Sequence, residues 1–209
     1  MLSFIYPVPI RRGHGDYNNF LEVLLYCNQL QLATNDALYS DGDRYRPASA
    51  TINNLKSFLP AIHKVLVLGT GLGSMIRVLR SKGCDPQCTL VEIDKVVLSW
   101  AMEFLEESKA GKVTPVCSDA KVFMAQNKAK FDLVFIDVFN GRVVPEFVYS
   151  ELFLEQCRAG LEPGGYVAFN YMINDNEEWE IVKTTFTGIF PSNQILNIGI
   201  NRILIGRIS

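Results

Sequence analysis

Val65-Leu-Val-Leu-Gly-Thr-Gly-Leu-Gly73 is the stretch that decides the fold. Its first four residues form an unbroken apolar run, which is typical of a parallel strand covered on both faces. The three glycines that follow let the backbone turn tightly, and they lead into a helix whose free N–H groups can face a ligand. A dinucleotide-binding fingerprint needs a glycine at the sixth position of this loop, where the chain has Ser74. The G-x-G-x-G spacing is commoner in proteins that hold S-adenosylmethionine, with a purely structural turn as the alternative.

Apolar strands and helices alternate outward from this loop along the rest of the chain. Four further strands are predicted, at 88–91, 113–117, 131–136 and 165–169, and a closing hairpin is predicted over residues 194 to 208. This alternation predicts an α/β fold. We expect a doubly wound, Rossmann-like, mostly parallel sheet with an antiparallel hairpin at its C-terminal edge.

The N-terminal segment has a different pattern. Asn19 to Ala33 carries two short apolar runs on either side of Cys27-Asn28, which predicts a small β-hairpin with its turn there. The apolar arm from Phe4 to Ile10 holds two prolines and cannot form a regular central strand. We therefore predict an N-terminal arm, hairpin and lead-in helix over residues 1–60, followed by a Rossmann-like domain over residues 61–209.

Composition excludes several classes of protein. Hydrophobic residues make up 48% of the 209 residues, so the chain can bury a core and is not disordered. The net charge of -2 predicts no nucleic-acid partner, and no apolar run approaches the roughly 18 residues that span a membrane. Five scattered cysteines and no recognisable secretory signal predict reduced thiols in a cytoplasmic protein. No grouping of cysteines and histidines predicts a metal site.

Acidic residues follow three consecutive predicted strands. Glu92 ends the second strand, where a carboxylate can accept hydrogen bonds from both hydroxyls of a ribose. Asp119 follows the third strand and either accepts from an adenine amino group or caps the next helix. Asp137 follows the fourth strand and is a candidate general base or orienting group. Ligands of open α/β sheets bind outside the carboxyl ends of the strands, so the acids and the glycine loop together predict an adenosyl-binding site.

These motifs resemble those of the spermidine synthase (polyamine aminopropyltransferase) family within the class I S-adenosylmethionine-dependent methyltransferase fold. The resemblance lies in the glycine loop and in Val91-Glu-Ile-Asp94, Ser118-Asp-Ala120, Phe135-Ile-Asp137 and Leu161-Glu-Pro-Gly-Gly165. It implies a transferase that binds S-adenosylmethionine or decarboxylated S-adenosylmethionine. It also implies a small-molecule acceptor, for which an amine is suitable, and a homodimer to which the N-terminal arm contributes.

The resemblance also implies roles for single residues. Nine residues would bind the donor: Gln31, Gly69, Thr70, Gly71, Leu72, Glu92, Ile93, Asp119 and Ala120. Among these, Glu92 would hold the ribose, Ile93 would pack on the purine, and Gln31 would reach the ligand from the hairpin. Asp137 would be the catalytic base beside the acceptor amine, since an ammonium has no lone pair and must lose a proton before it attacks the sulfonium carbon.

Two positions depart from the family's pattern. Leu72 stands where the family carries an aspartate that faces the donor's ammonium group, and Asn140 stands where it carries a second aspartate near the catalytic one. Tyr45 and Arg46 either line the acceptor site or pack within their loop. We therefore expect methyl transfer from S-adenosylmethionine to a small molecule. The alternatives are aminopropyl transfer that makes a polyamine, and a non-catalytic module that binds an adenosyl ligand.

Overall fold

The computed structural model describes residues 2–35, 37–106 and 112–209. Its N-terminal part is an antiparallel sheet in the order β1-β2-β3-β4. The four strands are β1 (Val8–Gly13), β2 (Leu21–Tyr26), β3 (Gln29–Ala33) and β4 (Leu38–Asp41).

The predicted hairpin is the central pair of this sheet, β2 and β3. Its two turn residues, Cys27 and Asn28, have φ values of 48° and 61°. The sequence predicts only this hairpin. The structure adds one strand on each side of it, β1 and β4. β1 contains Pro9, and its register shifts between Pro9 and Arg11. Proline is tolerated there because β1 lies at the sheet edge.

The second sheet has seven strands in the order β10-β11-β9-β8-β5-β6-β7. The elements after the first sheet are, in chain order, α1 (Arg46–Asn54), β5 (Lys64–Leu68), α2 (Ser74–Ser81), β6 (Gln87–Glu92), α3 (Lys95–Glu106), β7 (Val113–Cys117), α4 (Ala120–Gln126), β8 (Phe131–Ile136), α5 (Glu151–Ala159), β9 (Leu161–Met172), α6 (Asn176–Ile189), β10 (Ser192–Ile198) and β11 (Asn201–Arg207). The sequence pattern predicts α3 to continue to Glu107, which lies outside the described residues.

The pairing of these strands confirms the predicted fold class. β5 pairs in parallel with β6 and β8, and β7 and β9 extend the parallel part on either side. β11 pairs antiparallel with both β9 and β10, so the C-terminal hairpin forms one edge. The protein therefore has a Rossmann-like, mostly parallel sheet in an α/β fold.

The central strand is buried on both faces. Leu66 and Leu68 pack in one apolar cluster, and Val65 and Val67 pack in a second cluster on the opposite face. All four side chains are at most 2% exposed. Burial on both faces explains the continuous apolar run of β5, and it fixes the position of the loop that follows this strand.

A third apolar cluster joins the two sheets beside the glycine loop. Leu21, Val23 and Leu32 from the N-terminal sheet pack against Leu72 and Trp100. This contact brings the carboxyl-end edge of the parallel sheet against β4. Among the described residues, no helix combines the length and apolar character that a membrane-spanning segment requires.

Candidate active site

A cavity of about 590 Å³ lies at the carboxyl ends of the parallel strands, against the N-terminal sheet. Its volume falls within the range of roughly 300–1,000 Å³ that is usual for small-molecule sites. Seven of the predicted site residues line it: Gly69, Gly71, Glu92, Ile93, Asp119, Ala120 and Asp137. The structure thus brings together residues that are as far as 68 positions apart in the chain.

The glycine loop is shaped for close approach of neighbouring backbone. Gly69 has a φ of 83°, and a Cβ at this position would overlap the carbonyl oxygen of Asp137. Gly71 has a φ of 51°, and a Cβ there would lie 2.8 Å from the carbonyl oxygen of Tyr39. Glycine is needed at both positions because a side chain would be strained and would push these groups away. The glycines therefore let the backbone of Asp137 and of β4 pack directly against the loop, beside the cavity.

Glu92 is held in place by backbone donors at the end of β6. Its Oε2 accepts a hydrogen bond from the Thr70 N–H at 3.0 Å, and its Oε1 accepts one from the Asp94 N–H at 3.1 Å. Burial raises the pKa of Glu92, and these backbone hydrogen bonds oppose that rise. Each carboxylate oxygen keeps a further lone pair, so the group can accept hydrogen bonds from a diol.

Asp119 both caps a helix and lines the cavity, so the two alternatives from the sequence are compatible. Its Oδ1 accepts hydrogen bonds from the N–H groups of Lys121 at 2.6 Å and Val122 at 3.4 Å, at the start of α4. Its Oδ2 accepts no hydrogen bond from the described residues. The cap fixes the side chain, and the second oxygen is left to accept from a ligand.

Asp137 receives two hydrogen bonds on the same oxygen. Asn170 Nδ2 donates to Oδ1 at 2.7 Å, and the Tyr45 hydroxyl donates to Oδ1 at 3.1 Å. Burial raises the pKa of Asp137 to about 6, although the hydrogen bonds from Asn170 and Tyr45 lower it. Oδ2 accepts no hydrogen bond from the described residues, so it is the oxygen that can take a proton from a bound molecule.

The orientation of Asn170 is fixed by Asn201. Asn201 Nδ2 donates to Asn170 Oδ1 at 2.8 Å, which directs the amide nitrogen of Asn170 to Asp137. Both asparagines line the cavity, and the sequence reasoning missed both. A detectable signal existed for Asn170, since it is a polar residue in the apolar run of β9 and is only 1% exposed. Buried polar groups in such positions need partners.

Tyr45 and Arg46 line the cavity, and their place in an acceptor site stays a prediction. Tyr39 also lines the cavity and accepts a hydrogen bond from the Gly141 N–H at 2.9 Å. That bond ties β4 to the loop after β8. Sequence patterns gave no sign of this contact, because it joins residues 102 positions apart.

Three predicted donor-binding residues lie outside the set that lines the cavity. Gln31 Nε2 donates at 2.9 Å to Oδ1 of Asp41, and Asp41 does line the cavity. Thr70 contributes its backbone N–H to Glu92, while its hydroxyl donates to the Val91 carbonyl. Leu72 is 1% exposed and packs in the cluster between the sheets.

No three or more His, Cys, Asp or Glu side chains come together in a metal-binding group within the part of the chain that the structure describes. The acids that line the cavity are held by backbone N–H, amide, hydroxyl or guanidinium donors. Their arrangement is suited to hydrogen bonding with an organic ligand.

The sheet order, the glycine loop after the central strand and the acids at the ends of its neighbours define a class I methyltransferase-like fold. Within that class, the family model described as "Spermine/spermidine synthase domain" matches residues 51–192. The chain belongs to the spermine/spermidine synthase family.

Individual relatives agree with this assignment. A spermidine synthase from Dictyostelium discoideum is 32% identical over 112 residues, a match that covers 52% of this chain and 39% of the relative. Polyamine aminopropyltransferase 1 from Pseudomonas aeruginosa is 31% identical over 110 residues, covering 50% of this chain and 38% of the relative. The matched stretch therefore spans about two fifths of the length of these curated relatives.

A solved structure is similar over nearly the whole chain. The spermidine synthase from Thermotoga maritima superposes with a TM-score of 0.75 at 16% identity, covering 97% of this chain and 73% of that one. At this level of identity the likeness concerns the fold. The N-terminal sheet is included in it, because the shared region extends well beyond the parallel sheet.

Proposed function

We propose that this protein is an aminopropyltransferase. It binds an adenosyl sulfonium donor, decarboxylated S-adenosylmethionine, and transfers the donor's aminopropyl group to an amine. The observation that carries the proposal is the position of Asp137, whose carboxylate faces the same cavity as Glu92 and Asp119. The names of the curated relatives, which are spermidine synthase and polyamine aminopropyltransferase, support the same class of reaction.

The donor's nucleoside fits the side of the cavity formed by the ends of β6 and β7. Glu92 offers two oriented oxygens to the ribose hydroxyls, as the acid at the end of the second strand does in Rossmann-like folds. Asp119 Oδ2 can accept from the adenine amino group. Ile93 and Ala120 line the same part of the cavity and supply apolar contact for the purine.

The transfer step needs a base for the acceptor. An ammonium group has no lone pair, so it must lose a proton before its nitrogen attacks the carbon next to the sulfonium. The new N–C bond forms while the C–S bond breaks, and the electron pair of that bond returns to sulfur. Asp137 takes the amine proton. Its pKa of about 6 makes Asp137 a stronger base than an ordinary carboxylate, and at pH 7 the group is still mostly ionised and able to accept the proton.

Methyl transfer, which we expected first from the sequence, is not supported by the family match. The curated relatives are named for spermidine synthesis and aminopropyl transfer. The similarity to human methyltransferase-like protein 13, at 20% identity, concerns the fold. The donor nucleoside would be bound in the same way in both reactions. The group transferred distinguishes them.

Calorimetric titration tests the donor. We expect decarboxylated S-adenosylmethionine to bind more tightly than S-adenosylmethionine, since it is the donor of aminopropyl transfer. We expect NAD not to bind, because the glycine loop lacks the dinucleotide spacing. Tighter binding of S-adenosylmethionine would favour the methyl-transfer alternative. Failure of both sulfonium nucleosides to bind would reject the proposal, and donor binding without turnover on any amine would favour a non-catalytic module.

A further inference from the structure

The order of the strands divides the cavity into two halves. Glu92 ends β6 and Asp119 follows β7, and these two residues mark the donor half, on one side of the central strand β5. The other side is formed by residues of β9 and β11, of the loop after β8 and of the start of α1 with the residue before it. We call it the acceptor half: Tyr45, Arg46, Asp137, Arg142, Asn170 and Asn201. An amine that approaches Asp137 lies in the acceptor half.

The charges of the acceptor half do not suit a molecule with several ammonium groups. Its charged residues are Asp137 and two arginines, Arg46 and Arg142, which line the cavity and are exposed. Asp41 and Arg44 also line the cavity but are paired with each other at 3.0 Å. One ammonium group of a diamine can meet Asp137, but a second would lie on the side of the cavity that carries the two arginines, and like charges repel. An acceptor that matches this half combines one amine with one anionic group.

Arg142 lies on a loop that is held at three points. Its neighbours Asn140 and Val143 form a β-bridge, the Gly141 N–H donates to the Tyr39 hydroxyl at 2.9 Å, and Asn174 Nδ2 donates to the Arg142 carbonyl at 3.0 Å. The loop therefore has a defined backbone, yet the Arg142 side chain has no hydrogen-bond or ion-pair partner among the described residues.

Arg46 is placed by the residue before it. Tyr45 is fixed by its hydrogen bond to Asp137, and its carbonyl accepts the Ser49 N–H at 2.9 Å in the first turn of α1. The Arg46 guanidinium also has no hydrogen-bond or ion-pair partner within the described ranges. Arg44, the third arginine that lines the cavity, differs because it is paired with Asp41 at 3.0 Å.

We propose that the acceptor is an amine that also carries a carboxylate, and that Arg46 and Arg142 bind this carboxylate while the amine lies at Asp137. Guanidinium groups bind carboxylates through paired N–H donors. The inference rests on the proposed function for the position of the reacting amine. It adds a substrate class for this chain that differs from the polyamines for which the curated relatives are named.

The test compares two amines that differ only by a carboxylate, ornithine and 1,4-diaminobutane. Each is titrated calorimetrically into the wild-type protein saturated with 5′-methylthioadenosine, the nucleoside left after aminopropyl transfer. We expect ornithine to bind at least tenfold more tightly than 1,4-diaminobutane. The preference should fall to less than threefold in the double variant Arg46→Ala/Arg142→Ala.

Arg158→Ala is the matched control, since Arg158 is an exposed arginine on α5 outside the cavity, and it should keep the wild-type preference. Circular dichroism confirms that each variant is folded. Equal or tighter binding of 1,4-diaminobutane to the wild type, or a preference for ornithine that survives in the double variant, would overturn the inference.

The same titrations separate this inference from the proposed function. If 5′-methylthioadenosine itself does not bind, the proposed donor site is wrong, and the two amines are then titrated into the free protein. A carboxylate preference that depends on Arg46 and Arg142 still supports the inference there, and its absence rejects it. The carboxylate of the donor S-adenosylmethionine is the other candidate occupant of the two arginines. If S-adenosylmethionine binds more tightly than its decarboxylated form, and this preference is lost in the double variant, the arginines bind the donor and the inference about the acceptor is rejected.

Discussion

At the scale of single residues, the acids at the strand ends were predictable and the asparagines around Asp137 were not. Glu92, Asp119 and Asp137 could be found because each interrupts or ends an apolar strand at the edge where ligands bind. Asn170 and Asn201 act through side-chain hydrogen bonds between β9 and β11, which depend on the register of the antiparallel edge. A single sequence does not determine that register.

Asp137→Asn tests the catalytic role of this carboxylate. The substitution removes the proton acceptor but keeps an oxygen for the hydrogen bonds from Asn170 and Tyr45. We expect kcat to fall by about 10²–10⁴-fold, the usual contribution of general base catalysis, while donor affinity changes less than threefold. Measuring kcat and the donor dissociation constant on the same preparation checks both parts. An active Asp137→Asn variant would exclude Asp137 as the base.

The same substitution has a predictable effect on stability. The pKa of Asp137 is raised to about 6 in the folded protein, above the value of about 4 for an aspartate in the unfolded chain. Ionised Asp137 therefore lowers the free energy of unfolding above about pH 6, and this effect disappears as the pH falls from about 6 to about 4. We expect Asp137→Asn to increase the free energy of unfolding by about 1–3 kcal/mol at pH 8 and to have little effect at pH 4. Urea unfolding at the two pH values measures this. An equal effect at both would contradict the raised pKa.

Glu92→Gln tests the donor half. Its amide keeps one oxygen for a backbone N–H, but the charge-assisted hydrogen bonds to the ribose are lost. We expect the affinity for 5′-methylthioadenosine to fall by about 2 kcal/mol, roughly thirtyfold. Calorimetry on Glu92→Gln and on Glu155→Gln, an exposed glutamate on α5, makes the comparison. Unchanged affinity in Glu92→Gln would remove Glu92 from the donor site.

At the scale of elements, the parallel strands were easier to predict than the N-terminal sheet. Each parallel strand is a buried apolar run between turn signals, and that pattern is local. In β1 and β4 the pattern is weaker, because β1 contains Pro9 and β4 has only four residues. Both strands form because the pair β2 and β3 offers two edges. Their prediction would have required knowledge of tertiary contacts.

Tyr39→Phe tests the contact between β4 and the loop after β8. The substitution removes the hydroxyl that accepts the Gly141 N–H and keeps the ring. We expect faster hydrogen exchange at the Gly141 amide and at least a threefold weaker binding of ornithine, with donor affinity unchanged. Tyr6→Phe, an exposed tyrosine in the N-terminal arm, is the control. Unaltered exchange at Gly141 in Tyr39→Phe would contradict the role given to this bond.

At the scale of the whole molecule, one cavity is shared by the two sheets. The parallel sheet supplies the acids, and the N-terminal sheet with the start of α1 supplies Tyr39, Asp41 and Tyr45. The sequence identified the first group, because its motifs lie at strand ends. The second group depends on how the two sheets pack through Leu72 and its neighbours. The division at residue 60 that the sequence suggests stays a prediction.

A homodimer remains our prediction for the assembly. Phe4 and Ile5 in the N-terminal arm are 63% and 78% exposed, and exposed large apolar side chains of this kind favour association. Sedimentation should give a dimer for the wild-type chain and a shift to monomer for Phe4→Glu/Ile5→Glu. A wild-type protein that sediments as a clean monomer would contradict the prediction.

The central claim is that an adenosyl sulfonium bound beside Glu92 loses its aminopropyl group to an amine at Asp137. Its most direct measurement is the release of 5′-methylthioadenosine, followed by mass spectrometry, from decarboxylated S-adenosylmethionine mixed with the protein and either ornithine or 1,4-diaminobutane. We predict stoichiometric release together with the aminopropylated amine, and loss of both products in Asp137→Asn. Donor that binds but stays intact with both amines, or release that Asp137→Asn leaves unchanged, would contradict the claim.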